Sequence, residues 1–235
     1  GGASAGVMTL VVSQQNPLLI QDLDVAAQWY VEGDAERADW LRASLIEASD
    51  FLYSFTDGQF ALGRVTVQQS YDGWEAADLQ LHINNIFQPR ADIGGIVLTD
   101  TADLDPTIPI TYAPGQMYMG SHWNRYGKPP GEVIVDGGAV VPPATLASDW
   151  AIALAHELGH YLLVLFDVYT DIDGNASKEL AEQCTLSAMG DAYKPSNHAF
   201  IFDRDHWDAN CSETEAYTTL GGRTEWQTIH LWYPW

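Results

Sequence analysis

Basic side chains are scarce in this sequence: 10 Lys and Arg stand against 32 Asp and Glu, for a formal net charge of −22. So acidic a surface repels phosphate backbones, which argues against nucleic acid as a partner. Taken alone it reads as a solvated, solubilising surface and selects no substrate. Long hydrophobic runs are missing as well. No stretch approaches the ~20 apolar residues of a membrane span, and no charged segment followed by an apolar run marks a signal peptide at the start. The chain opens Gly1-Gly2-Ala3-Ser4, without Met, and reads as a mature or excised segment of something longer. Cysteine is limited to Cys184 and Cys211. In an exported protein the two would pair and close a loop worth ~3–4 kcal/mol in the chain-entropy model; in a cytosolic one they would be buried thiols. Repeats and low-complexity tracts are also absent.

What is plentiful is apolar and aromatic material: 46% hydrophobic residues, with 9 Trp, 11 Tyr and 7 Phe in 235 residues. That builds a substantial core, in one large domain or two lobes sharing a cleft. Residues 7–12 (VMTLVV) read as a buried strand. A helical region is expected from about Asp24 to Phe55, with Leu41, Leu45, Ala48, Leu52 and Phe55 at helical spacing and a break or restart at Gly33-Asp34. Strands are expected at 63–69, 78–84, 94–99 and 132–136, between Gly-, Pro- and Asp-rich turns. The Pro-rich stretch 101–131 reads as loop. A second helix begins near Thr145 or Ser148, carrying Ala151, Leu154, Ala155, Leu158 and Leu162 as an apolar stripe. A last helix begins at Thr224, where Thr224-x-x-Gln227 fits a capping box. This order predicts an α/β (α+β) fold in a single domain: an upper part of about residues 1–162 with a twisted mixed sheet and two long helices, and a small irregular lower part of about 163–235 with a C-terminal helix.

The second helix carries HELGH. His156 and His160, four apart, project from one face and can share an ion; Glu157, beside the first, can accept a proton from water that the ion acidifies. With 7 His in 235 residues, a chance HExxH is not expected even once. A catalytic zinc takes a third protein ligand, and Asp167 is the nearest carboxylate after the motif. On an unbroken helix it would lie ~10 Å along the axis, too far for ~2 Å zinc bonds. The helix must therefore end soon after His160 and the chain fold back.

HELGH, Asp167 and the segment Cys184-Thr185-Leu186-Ser187-Ala188-Met189-Gly190 together resemble a metzincin metallopeptidase, a clan whose zinc motif is followed by a turn that places a Met beneath the metal. The common HExxHxxGxxH or HExxHxxGxxD pattern fails here, since Leu163 and Phe166 fill the Gly and last-ligand positions. The spacing is similar to the HExxHxxxGxxDE form of the metzincin-like domains of calcium-activated chloride channel regulators. Two departures remain. Val164 replaces Gly, so the turn must be wider or strained, and Val168 replaces the final Glu. The resemblance implies a secreted zinc metalloendopeptidase acting on protein or peptide substrates, with His156, His160 and Asp167 as zinc ligands and Glu157 as general base. Many metzincins carry a Tyr two residues after the Met; Asp191 stands there, and Tyr193 is assigned no role.

Two other readings stay open. A gluzincin would take its third ligand from Glu179 or Glu182, and a binding or adhesion module would keep the zinc without catalysis. Asp171, Asp173 and Asn175 form an oxygen-rich loop. An EF-hand register fails there because Tyr169 and Leu180 occupy acid positions, so a solvated turn is expected, with Ca2+ the alternative. A strand such as 132–136 is expected to line the cleft and pair with an extended substrate.

Overall fold

The computed structural model describes residue 13 and residues 17–84, 87–97, 114–129 and 132–234. The expected strand at 7–12 and residues 101–113 and 130–131 of the expected loop at 101–131 lie outside these. The chain runs β1 (Leu19–Ala27), α1 (Ala35–Phe55), β2 (Phe60–Gln68), β3 (Leu79–His82), β4 (Arg90–Ala91), β5 (Met117–Gly120), a hairpin of β6 (Val135–Asp136) and β7 (Ala139–Val140), and then α2 (Pro143–Leu163). Four shorter helices follow: α3 (Lys178–Gln183), α4 (Arg204–Asn210), α5 (Glu215–Thr219) and α6 (Glu225–Trp232). The sheet order is β2-β1-β3-β5-β4, parallel except for β4, which runs antiparallel at the edge. The mixed α/β class thus agrees with expectation.

α1 starts where the sequence allows. Asp34 caps it, accepting a hydrogen bond from Arg37 N, and its Leu41, Leu45, Ala48, Leu52 and Phe55 are buried. Together with Leu23 and Val25 of β1, Leu79 and Leu81 of β3, Met117 and Met119 of β5, and Trp150, Leu154 and Leu158 of α2 they form one core. Burial of each such side chain stabilises by ~1.5–3 kcal/mol. α1 and α2 pack on each other. Two side chains fasten α2 to the sheet: Trp150 Nε1 donates to Gly120 O at 3.0 Å and Tyr161 OH to Asp78 Oδ1 at 2.6 Å.

Four expectations are corrected. The helix does not begin at Asp24: residues up to Ala27 belong to β1, whose parallel pairing with β2 and β3 outweighs the helical bias of Ala26-Ala27. Asp22 and Asp24 are held in that extended chain by long-range partners, Asp22 accepting from Arg64 N at 2.8 Å and Asp24 N donating to Asp78 Oδ2 at 2.8 Å. β5 lies within the stretch read as Pro-rich loop. At 94–99, Gly95–Val97 form a 3₁₀ turn, and 98–99 lie outside the described residues. Of 132–136, only Val135 and Asp136 form a strand, in the small exposed hairpin rather than in the sheet.

Candidate metal centre

The histidines leave α2 in its last two turns, and the way that helix ends brings Asp167 back to them. Val164 follows the last helical residue with φ 59° and ψ 35°, the left-handed region that a β-branched side chain rarely enters. The turn is also wide: Gly159 O accepts from Val164 N and from Leu165 N at 3.3 Å. His160 O is taken instead by Gly94 N at 2.8 Å, and Leu162 O by Tyr233 OH at 2.8 Å. Carbonyls freed at the helix end are thus satisfied from distant parts of the chain. The width and strain expected from the missing Gly are both present.

The reversal sets Asp167 Oδ1 3.1 Å from His156 Nε2 and 3.3 Å from His160 Nε2. All three ligating atoms lie within 4.8 Å of one another. Each ring's other nitrogen is engaged by a backbone carbonyl, His156 Nδ1 with Ala188 O at 2.8 Å and His160 Nδ1 with Leu165 O at 2.7 Å. When each Nδ1 carries the proton, both Nε2 atoms offer a lone pair to the same point. A tetrahedral ion with ~2 Å bonds needs ligand separations of ~3.3 Å, and the two Asp167 contacts meet that. The residues fit a divalent transition ion, and zinc suits two imidazoles and a carboxylate.

Without an ion the group pairs internally. Burial disfavours the charged form of His156, but the Asp167 carboxylate on Nε2 outweighs it and pushes the pKa up to about 9. Burial would raise Asp167; the hydrogen bonds from His156 and His160 instead hold it well below the usual carboxylate range. Glu157 is 7% exposed. Burial raises its pKa against the opposing pull of the two histidines, an environment that makes a carboxylate a better proton acceptor.

Glu157 and His156 open into a cleft of about 350 Å³, walled by Trp123, Tyr169 and Tyr193 and by the small residues Ala153, Gly190 and Ala192. Its far side is Gln88-Pro89, the lead into edge strand β4. None of residues 132–136 lines it, so the strand expected there does not wall the cleft; Gln88 and Pro89, just ahead of β4, do. Tyr193 accepts from Trp123 Nε1 at 2.8 Å, and its ring lies 4.4 Å beneath the Arg125 guanidinium, itself clamped by buried Asp149 at 2.6 Å. Burial pushes the Tyr193 phenol up to about 12, and burial with nearby Asp167 raises Tyr169. The sequence gives no sign of Trp123 or Tyr169 as cleft residues, and Tyr193, set aside as lying too far past the Met, does line the cleft.

Met189 is fully buried and packed against Gly159, the residue before His160. Glu179 and Glu182 stand exposed on α3, Glu182 beside Lys178 at 3.5 Å, and neither joins the cluster. In the loop at 171–175 the Asp171 carboxylate accepts from Asp173 N and Asn175 N, closing the turn with its own backbone. Cys184 and Cys211 form a buried disulfide, which is compatible with an extracellular protein. No helix among the described residues is long and apolar enough to cross a membrane. Compared with protein-family models and with curated proteins, the chain matches none.

Proposed function

We propose that the chain is a secreted zinc metallopeptidase of metzincin type, hydrolysing peptide bonds with Glu157 as general base and His156, His160 and Asp167 as metal ligands. The observation that carries the reading is the convergence of two Nε2 atoms on one carboxylate oxygen beside a buried glutamate that opens to a cleft. Support for the metzincin type comes from the turn at 187–190, whose Met189 packs against Gly159 and whose Ala188 O meets His156 Nδ1, and from the antiparallel edge strand β4, which follows the cleft residues Gln88 and Pro89. A zinc ion held there supplies a Lewis acid that polarises the scissile carbonyl and acidifies water.

The protein's own groups do the rest. Glu157 takes the proton from the attacking water and returns it to the departing amine. The Tyr193 oxygen already accepts a bond from Trp123, so its hydrogen is free to turn toward a substrate oxygen in the cleft. Among the described residues β4 is the edge of the sheet, and Gln88-Pro89 just ahead of it line the cleft, so an extended peptide can enter along that edge.

The test is Glu157→Gln with zinc content measured beside casein or gelatin digestion. Full occupancy with lost hydrolysis is expected; undiminished cleavage refutes the assignment. A site that retains zinc yet digests no unfolded protein in its unaltered form points instead to a binding module.

A further inference from the structure

Resting on the metal-site reading above, we infer that Glu225 is a positioning residue for the metal centre, anchoring the turn at 187–190 that orients His156 and Asp167. Glu225 opens α6, far along the chain from the motif, and is 1% exposed. Both its oxygens are engaged. Ser187 Oγ donates to Oε1, and Ile201 N donates to Oε2 at 2.5 Å.

The Ser187 hydroxyl, having given its proton to Glu225, accepts from Met189 N at 2.9 Å. Two carbonyls of that turn then reach the centre. Ala188 O meets His156 Nδ1 at 2.8 Å, and Met189 O accepts from Val168 N, the residue after Asp167, at 3.1 Å. The strand-like run at 199–201 closes the frame: Ala188 N donates to Ala199 O at 2.8 Å and Trp226 N to Ile201 O at 3.2 Å. One carboxylate therefore fixes a peptide that selects the His156 tautomer and another that sets the Asp167 backbone.

A buried carboxylate is costly, and among the described residues no Lys or Arg makes a salt bridge with this one. An apolar side chain would fill the space at lower cost but would accept neither bond. Outer partners of this kind change metal affinity by ~10–100-fold.

The experiment compares Glu225→Gln, Ser187→Ala and a control, Ile229→Val, which thins the core on the same helix without touching the turn. Zinc affinity is read by chelator competition, stability by thermal unfolding, and the His156 Nδ1 proton by NMR of the metal-free protein. Glu225→Gln and Ser187→Ala should each weaken zinc binding ~10–100-fold and shift or broaden the ring-proton signal, while Ile229→Val leaves both unchanged. Loss of thermal stability with unaltered zinc affinity and ring-proton signal makes Glu225 merely structural and overturns the inference. If Glu225→Gln does not fold, Ser187→Ala reads the same link. If the unaltered protein binds no zinc, the metal-site reading fails, and the ring-proton comparison still decides whether Glu225 orients His156.

Discussion

Gly159, the residue before the second histidine, is a helical glycine that should resist replacement by alanine. At an ordinary helix position, Gly→Ala gains ~1 kcal/mol. Here a Cβ would fall 2.6 Å from Met189 Sδ, 3.4 Å from its Cε and 3.5 Å from Phe200 Cζ. Ordinary contact starts near 3.4 Å, so the sulfur must retreat by most of an ångström. Met189 has nowhere to go: it is fully buried, and its N–H is tied to Ser187 Oγ. Overpacking of this kind costs ~1–3 kcal/mol, leaving Gly159→Ala neutral to ~2 kcal/mol destabilising. In a Met189→Ala background the obstruction is gone, and the same change should recover its ~1 kcal/mol gain. The effect of one substitution should thus change by ~1–3 kcal/mol between backgrounds, measured by urea unfolding of all four proteins in chelator. A gain of ~1 kcal/mol in both backgrounds would show that Met189 does not press on the metal helix.

Asp167→Ala should weaken zinc binding by ~100-fold or more, beyond the range of outer partners, while Glu179→Ala and Glu182→Ala leave zinc content unchanged. Metal analysis after dialysis decides between the two ligand sets. In the metal-free protein, His156 has a folded pKa of about 9, above the ordinary 6.5. The folded state then binds more protons in that window, so stability is fully present below about pH 6.5 and is lost as pH rises through about 9. The loss should be on the order of 3 kcal/mol, seen in denaturation midpoints and flattened by Asp167→Asn. Replacing Cys184 and Cys211 together by Ser should cost ~3–4 kcal/mol, given the separation of 27 residues. A reductant should lower the unfolding midpoint of the unaltered protein by the same amount and leave the double variant unmoved.

The parts legible in the sequence were those settled by a few neighbouring residues. HELGH places two candidate ligands on one helix face and a candidate base beside the first of them. The Thr224–Gln227 capping box forms as read, and Asp34 restarts the chain as α1. Asp167 was reachable because distance ruled out a continued helix, and Val164 was named as the point of strain. What escaped notice is decided across the chain. β1 looks helical until β2 and β3 are laid beside it, and β5 is a four-residue run among prolines. The cleft wall is a meeting of Gln88, Trp123, Tyr169 and Tyr193, whose adjacency no periodicity encodes. Glu225 was invisible for the same reason: its partners, Ser187 and Ile201, are 38 and 24 residues away.

All three proposed ligands come from one short stretch, with His156 and Asp167 only 11 positions apart. An ion there clasps a small loop, and the entropy such a clasp removes from the unfolded chain grows with loop length. Chelation should therefore loosen the bend at 164–167 and leave distant strands protected, a local opening that hydrogen exchange would resolve as an island. Long-range cohesion between the site helix and the tail falls to ties that need no ion: His156 Nδ1 on Ala188 O, Val168 N on Met189 O and the Tyr233 hydroxyl on Leu162 O.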